Sequence, residues 1–134
     1  MSRSKSAVLF CDGAARGNPG PGAYGFVVFV DGRVLAQDGA QLGHVTNNVA
    51  EYYALIHGLK KCKDLRIDSL VVKSDSQLLV RQISGQYRVR NPSLQVLHGE
   101  VQTLLAHFFH YEVVHIPREE NELADALANR ALDS

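Results

Sequence analysis

The chain has 134 residues, 46% of them apolar and 21% charged, a composition that excludes disorder and fits one domain, residues 1–134. Its 14 Lys and Arg equal its 14 Asp and Glu, so no net field steers a polyanion, and any nucleic-acid contact must be local or metal-mediated. No apolar run reaches membrane-spanning length and residues 1–6 lack the apolar core of a signal peptide, which points to a cytoplasmic protein with no membrane partner.

Residues 7–11 form an apolar run closed by Asp12, after which five glycines and two prolines fill residues 13–25. That is the pattern of a buried strand followed by a turn, with Asp12 expected at the strand's mouth beside a positive charge. Residues 24–30 and 33–42 read as two more strands joined by Asp31-Gly32, a type I′ hairpin signal, so the first three strands make an antiparallel meander. Residues 43–46 read as a loop. Asn47-Asn48 then offer N-cap chemistry, with Glu51 in capping-box register, and Leu55, Leu59 and Cys62 continue at helical spacing. Residues 67–73 are a fourth strand. Leu78 to Ile83 read as a short helix stopped by Gly85. Asn91-Pro92-Ser93 opens a longer helix with Leu94, Leu97, Val101, Leu104, Leu105 and Phe108 along its buried stripe. Residues 111–116 are a fifth strand, and Asn121 is the expected cap of a last helix whose apolar face runs through Leu123, Ala124, Leu127, Ala128, Ala131 and Leu132. The order predicts an α/β fold with a mixed sheet covered by helices. Cys11 and Cys62 have no metal-ligand spacing and read as reduced core residues.

Asp12 and Asp75 fall at strand ends, and Glu51 and Asp125 fall early in helices. If the first and fourth strands are parallel neighbours, Asp12 and Asp75 lie roughly 5 Å apart, at the carboxyl edge where α/β sheets bind ligands. Crowded carboxylates repel unless hard divalent cations neutralise them, and all-oxygen ligation suits Mg²⁺ or Mn²⁺ rather than zinc. Two such ions can hold a phosphodiester in line for hydrolysis. Each acid also has a plainer explanation: Glu51 closing the capping box, Asp75 capping the next helix, Asp125 complementing a helix dipole, and Asp12 sitting in a turn.

Asp12-Gly13 with Gly17-Asn18-Pro19-Gly20-Pro21-Gly22, Thr46-Asn47-Asn48 before Glu51, Ser74-Asp75-Ser76-Gln77, and Arg118-Glu119-Glu120-Asn121 ahead of Ala124-Asp125 resemble, in this order, the motifs of type 1 ribonuclease H. The resemblance implies the five-stranded ribonuclease H fold and endonucleolytic hydrolysis of the RNA strand of an RNA/DNA hybrid, leaving 5′-phosphate and 3′-hydroxyl ends. It implies that Asp12, Glu51, Asp75 and Asp125 hold two Mg²⁺ or Mn²⁺ ions, with Asp12 bridging both. It also implies that Asn18, Asn47, Asn48 and Gln77, with backbone around Gly13 and Ala15, contact the hybrid, and that Thr46 lies near a DNA-strand phosphate. Short amides suit this task because the 2′-hydroxyl both donates and accepts.

His115 stands ten residues before Asp125, the spacing at which bacterial members carry a catalytic histidine on a loop. Here it falls in a strand-like run, where a packed or solvent-facing histidine is the plainer reading, and Arg118 and Glu119 are alternatives for that place. Between Gly85 and Pro92 the chain lacks the helix and Lys-rich handle of the longer form. Arg88 and Arg90, with Tyr87, are what remains to grip a backbone, solvated loop charge being the alternative. Some compact members of the family also cut double-stranded RNA. Two other classes share parts of the pattern: a catalytically silent binding module, against which all four acids count, and a nuclease for structured DNA, against which the amide set counts. Nothing in the sequence demands more than a monomer.

Overall fold

The computed structural model describes residues 5–134, so the expectation for residues 1–4 of the chain start lies outside the described residues. Three strands open the chain, β1 (Ser6–Ala15), β2 (Gly20–Val30) and β3 (Arg33–Val45). They are followed by α1 (Asn47–Asp64), β4 (Ser69–Ser74), α2 (Gln77–Ile83), α3 (Pro92–Leu105), β5 (His110–His115), a 3₁₀ turn over Arg118–Glu120, and α4 (Glu122–Asp133). The sheet order is β3-β2-β1-β4-β5. β1–β2 and β2–β3 are antiparallel, whereas β1–β4 and β4–β5 are parallel, as strand–helix–strand connections require. Asp31 and Gly32 both have positive φ, the geometry of a type I′ hairpin.

Side chains of a strand alternate between faces, and here the alternation assigns each helix its side. Leu9 and Cys11 of β1 are fully buried on the face where α1 packs, with Gly58 of the helix resting on the Leu9 side chain. Leu55, Ile56 and Leu59 of α1, Val72 of β4, and Val101 and Leu105 of α3 complete that core. Each large aliphatic side chain there stabilises the fold by about 1.5–3 kcal/mol through burial. Gly25 of β2 points to the opposite face, where the α4 backbone at Ala124 and Ala128 lies against it. The two helices carrying Glu51 and Asp125 are thus fixed to opposite faces of the strand that carries Asp12.

Several boundaries differ from the sequence expectation, each for a local reason. The β1–β2 ladder continues to Ala15↔Gly22, so the glycine-rich stretch is mostly strand and the reversal is confined to residues 16–19. β3 runs through Val45, paired to Gly20, where a loop was expected. Thr46 caps α1 by accepting from the Val49 N–H, leaving Asn47 and Asn48 inside the first turn. In α4 only Ala124 and Ala128 are fully buried, and Leu123 is 54% exposed, because small residues let this helix sit close to the sheet while its larger side chains flank the contact. Cys11 and Cys62 are buried free thiols. No helix among the described residues is long and apolar enough to cross a membrane.

Candidate active site

The parallel ladder between β1 and β4 ends at Cys11↔Ser74, and the residue that follows each of these two is an acid. Asp12 follows Cys11 and is still within β1, paired to Gly25, whereas Asp75 follows Ser74 just beyond β4, so the two acids lie side by side where the parallel ladder stops. Glu51 arrives from α1. Gly13 makes its approach possible, because a Cβ there would stand 2.3 Å from both Ala50 C and Glu51 N; only a residue without a side chain lets the helix come this near the strand. The Gly13 N–H donates to Glu51 Oε1 at 2.7 Å, which fixes the carboxylate's direction. Each of Asp12, Glu51 and Asp75 offers an oxygen within 4.8 Å of the others. Asp125 completes the wall from α4, in a cleft of about 590 Å³ also lined by Gly13, Ala15, Asn47, Asn48, Ser76 and Arg118.

Asp12 does not sit at a strand mouth beside a cation, although its place in the sequence suggests that it would. It lies within β1 at 6% exposure, and no ion pair among the described residues involves it. Burial first, and then the charge of Glu51, push its carboxyl far above the ordinary carboxylate range. Glu51 is raised mainly by burial, against the hydrogen bonds from Asp12 and the Gly13 N–H. The two titrate as a pair that holds protons well above the usual range. Glu51 Oε2 is buried without a hydrogen-bond partner among the described residues. A bound divalent cation would satisfy that oxygen, relieve the repulsion and use an all-oxygen donor set, so the residues present fit a hard ion.

The plainer explanations for two of the acids do not survive. Glu51 makes no capping box, since its carboxylate faces Gly13. Ser76, not Asp75, caps α2 by accepting from the Leu79 N–H. Asp125 does lie in the first turn of α4. Asn121, expected as the cap of α4, makes no side-chain cap bond; its amide turns to the sheet.

The amides form a chain along the cleft. Asn18 Oδ1 accepts from the Asn47 N–H at 3.0 Å, and Asn47 Oδ1 accepts from the Ala15 N–H at 3.1 Å. Thr46 keeps its hydroxyl on the helix end. Gln77 is the exposed first residue of α2, beside the cleft residue Ser76. His115 ends β5, exposed and in register with Ser74, and is not among the residues lining the carboxylate cleft. Arg88 lines a separate cavity with Tyr87 and His98, and Arg90 is exposed nearby.

Sequence reasoning missed two cleft residues that bind a carboxylate, Arg16 and Asn129. Arg16 pairs with Asp133 at the end of α4, and Asn129 Nδ2 donates to Asp125 Oδ1 at 3.1 Å. The second was accessible, because Asp125 and Asn129 stand at i, i+4 spacing; the first was not, since its partner is 117 residues away.

A mixed five-stranded sheet whose central parallel pair delivers carboxylates to one edge defines the class: a ribonuclease H-like domain with an acidic site suited to divalent metal. A family model described as Reverse transcriptase-like matches residues 10–131. Ribonuclease HI of Halobacterium salinarum is 44% identical over 125 residues, covering 92% of this chain and 63% of the relative, so the chain spans less than two thirds of that protein. The crystal structure of RNase H1 from Halobacterium salinarum NRC-1 superposes with a TM-score of 0.93 at 42% identity, covering 96% of this chain and 98% of that one. LC11-RNase H1, solved in complex with RNA/DNA hybrid, gives 0.89 at 38% identity over 95% of this chain and 96% of that one. The chain belongs to the type 1 ribonuclease H family, in a compact form where only residues 84–91 connect α2 to α3.

Proposed function

We propose that this chain is a metal-dependent endonuclease that hydrolyses the RNA strand of RNA/DNA hybrids. The observation that carries the reading is the convergence of the Asp12, Glu51 and Asp75 oxygens within 4.8 Å at the sheet's carboxyl edge. The complex of LC11-RNase H1 with RNA/DNA hybrid supports the choice of substrate. Asp12, Glu51, Asp75 and Asp125 would hold two Mg²⁺ or Mn²⁺ ions, which when bound supply Lewis-acid polarisation of the phosphodiester and activation of water at neutral pH. Water adds at phosphorus, the bond to the 3′ oxygen breaks, and the products carry 5′-phosphate and 3′-hydroxyl ends.

The protein's own part is placement. Asn18 and Asn47 have their amide oxygens engaged by backbone N–H groups, which leaves their NH₂ groups for acceptors on the substrate. With Asn48 and Gln77 beside them, and the backbone of Gly13 and Ala15 at the cleft wall, they form a shallow donor array suited to a 2′-hydroxyl. Arg118 on the cleft rim and Arg88 and Arg90 beyond α2 offer charge to the phosphates, and Thr46 lies at the start of the same array. His115 stays outside the metal-binding set in this scheme. The protein works as a soluble cytoplasmic monomer.

Labelled RNA/DNA, RNA/RNA and DNA/DNA duplexes, each incubated with Mg²⁺, Mn²⁺ or EDTA, test the reading. The expected result is cleavage of the RNA strand of the hybrid with either ion and none with EDTA; cutting of RNA/RNA would widen the substrate class. A folded protein that leaves the hybrid intact with both ions, or that cuts DNA/DNA, refutes it.

A further inference from the structure

Asn121 is 1% exposed and stands where Asn ordinarily caps a helix, yet its side chain gives the helix nothing. Its Nδ2 instead donates to the Cys11 carbonyl at 2.9 Å and to Asp75 Oδ2 at 3.3 Å. Its Oδ1 is left buried with no hydrogen-bond partner among the described residues. Its own carbonyl accepts from the Asp125 N–H at 3.1 Å. One residue therefore ties the peptide before Asp12, the carboxylate of Asp75 and the turn that carries Asp125. An uncapped helix end and an unsatisfied buried acceptor both cost stability, so nothing about α4 alone accounts for this arrangement. Asp75, by contrast, lies one residue beyond its strand, and Asn121 is the side chain that supplies it with a hydrogen-bond donor.

We propose that Asn121 is a positioning residue for the metal-binding carboxylates: its amide holds Asp75 against β1 at Cys11, beside Asp12, while its backbone sets the start of α4. The inference rests on the metal-dependent reading above. A side chain that orients a metal ligand typically changes metal affinity by about 10–100-fold when removed, whereas one that only packs changes stability and leaves affinity alone.

The test is Mn²⁺ binding by calorimetry on the free protein, with steady-state kinetics on the hybrid alongside. Asn121→Ala removes the donor. Asn121→Ser keeps a shorter donor at the position and serves if the alanine variant does not fold. Leu127→Ala, a half-buried α4 residue, is the control for loosening the helix. Each is measured below its own melting temperature. The expected result is Mn²⁺ affinity lowered at least about tenfold in Asn121→Ala, a smaller loss in Asn121→Ser, KM for the hybrid within about twofold of wild type, and unchanged affinity in Leu127→Ala. Mn²⁺ affinity within twofold of wild type in a folded Asn121 variant overturns the assignment, as does an equal loss in Leu127→Ala. If the wild type itself binds no Mn²⁺, the metal-dependent reading falls first and this one with it.

Discussion

Replacing Asp12 by Asn should make the metal-free protein more stable while destroying its cleft chemistry. The folded chain holds Asp12 protonated above its ordinary range, chiefly through burial and the charge of Glu51. The folded state therefore binds more protons than the unfolded one between the unfolded value of 3.8 and the raised folded value, and the wild type loses stability as pH rises through that window. With the folded value at or above neutrality, the ceiling at pH 7 is about 4 kcal/mol, from 1.36 kcal/mol per pH unit above the unfolded value. Asp12 shares protons with Glu51, which relaxes part of that repulsion, so about 1–3 kcal/mol is expected, or about 4–12 °C in Tm for a domain of this size. Thermal unfolding in EDTA at pH 4 and pH 8 measures it. Asp12→Asn should melt above wild type at pH 8 by this margin and close to it at pH 4. Equal stabilisation at both pH values, or none at pH 8, refutes the account of a repulsive carboxylate pair.

Asp75→Asn should cut hybrid cleavage by at least about a thousandfold, roughly 4 kcal/mol of transition-state stabilisation, whereas His115→Ala should stay within about tenfold of wild type, since that ring lies outside the cleft; initial rates at saturating Mg²⁺ distinguish them. Gly13→Ala forces a Cβ onto the α1 backbone and should cost about 3 kcal/mol or more, read by urea denaturation with loss of Mn²⁺ binding in whatever fraction folds. Tyr52 donates to Gln82 Oε1 at 2.7 Å in the core. Tyr52→Phe strands that acceptor and should lower stability by about 1–3 kcal/mol, with hybrid cleavage kept at temperatures below the new melting point.

The element order and the parallel β1–β4 pair were legible because apolar periodicity and strand–helix–strand connectivity are local signals with strong geometric consequences. Local pattern also singled out the acids: Glu51 and Asp125 lie in early helical turns and Asp75 just beyond β4, while Asp12 lies within β1 rather than at its end. What local signals missed was competition for polar groups. Thr46, Asn47 and Asn48 all have capping chemistry, and which one caps depends on Ala15 and Asn18, far away in the chain, engaging the Asn47 amide and N–H. Glu51 fits a capping box by spacing alone; Gly13, 38 residues earlier, draws it into the cleft. Asn121 reads by type as the cap of the helix it precedes, while its partners, Cys11 and Asp75, lie across the sheet edge.

Anomalous diffraction from crystals soaked in Mn²⁺ tests the central claim most directly, because it asks whether these four acids gather to hold divalent ions. The account predicts manganese peaks at the carboxyl edge of β1 and β4, with Asp12 a ligand, and their disappearance in Asp12→Asn. A wild-type crystal that cleaves the hybrid on dissolution but shows no manganese among Asp12, Glu51, Asp75 and Asp125 would contradict it.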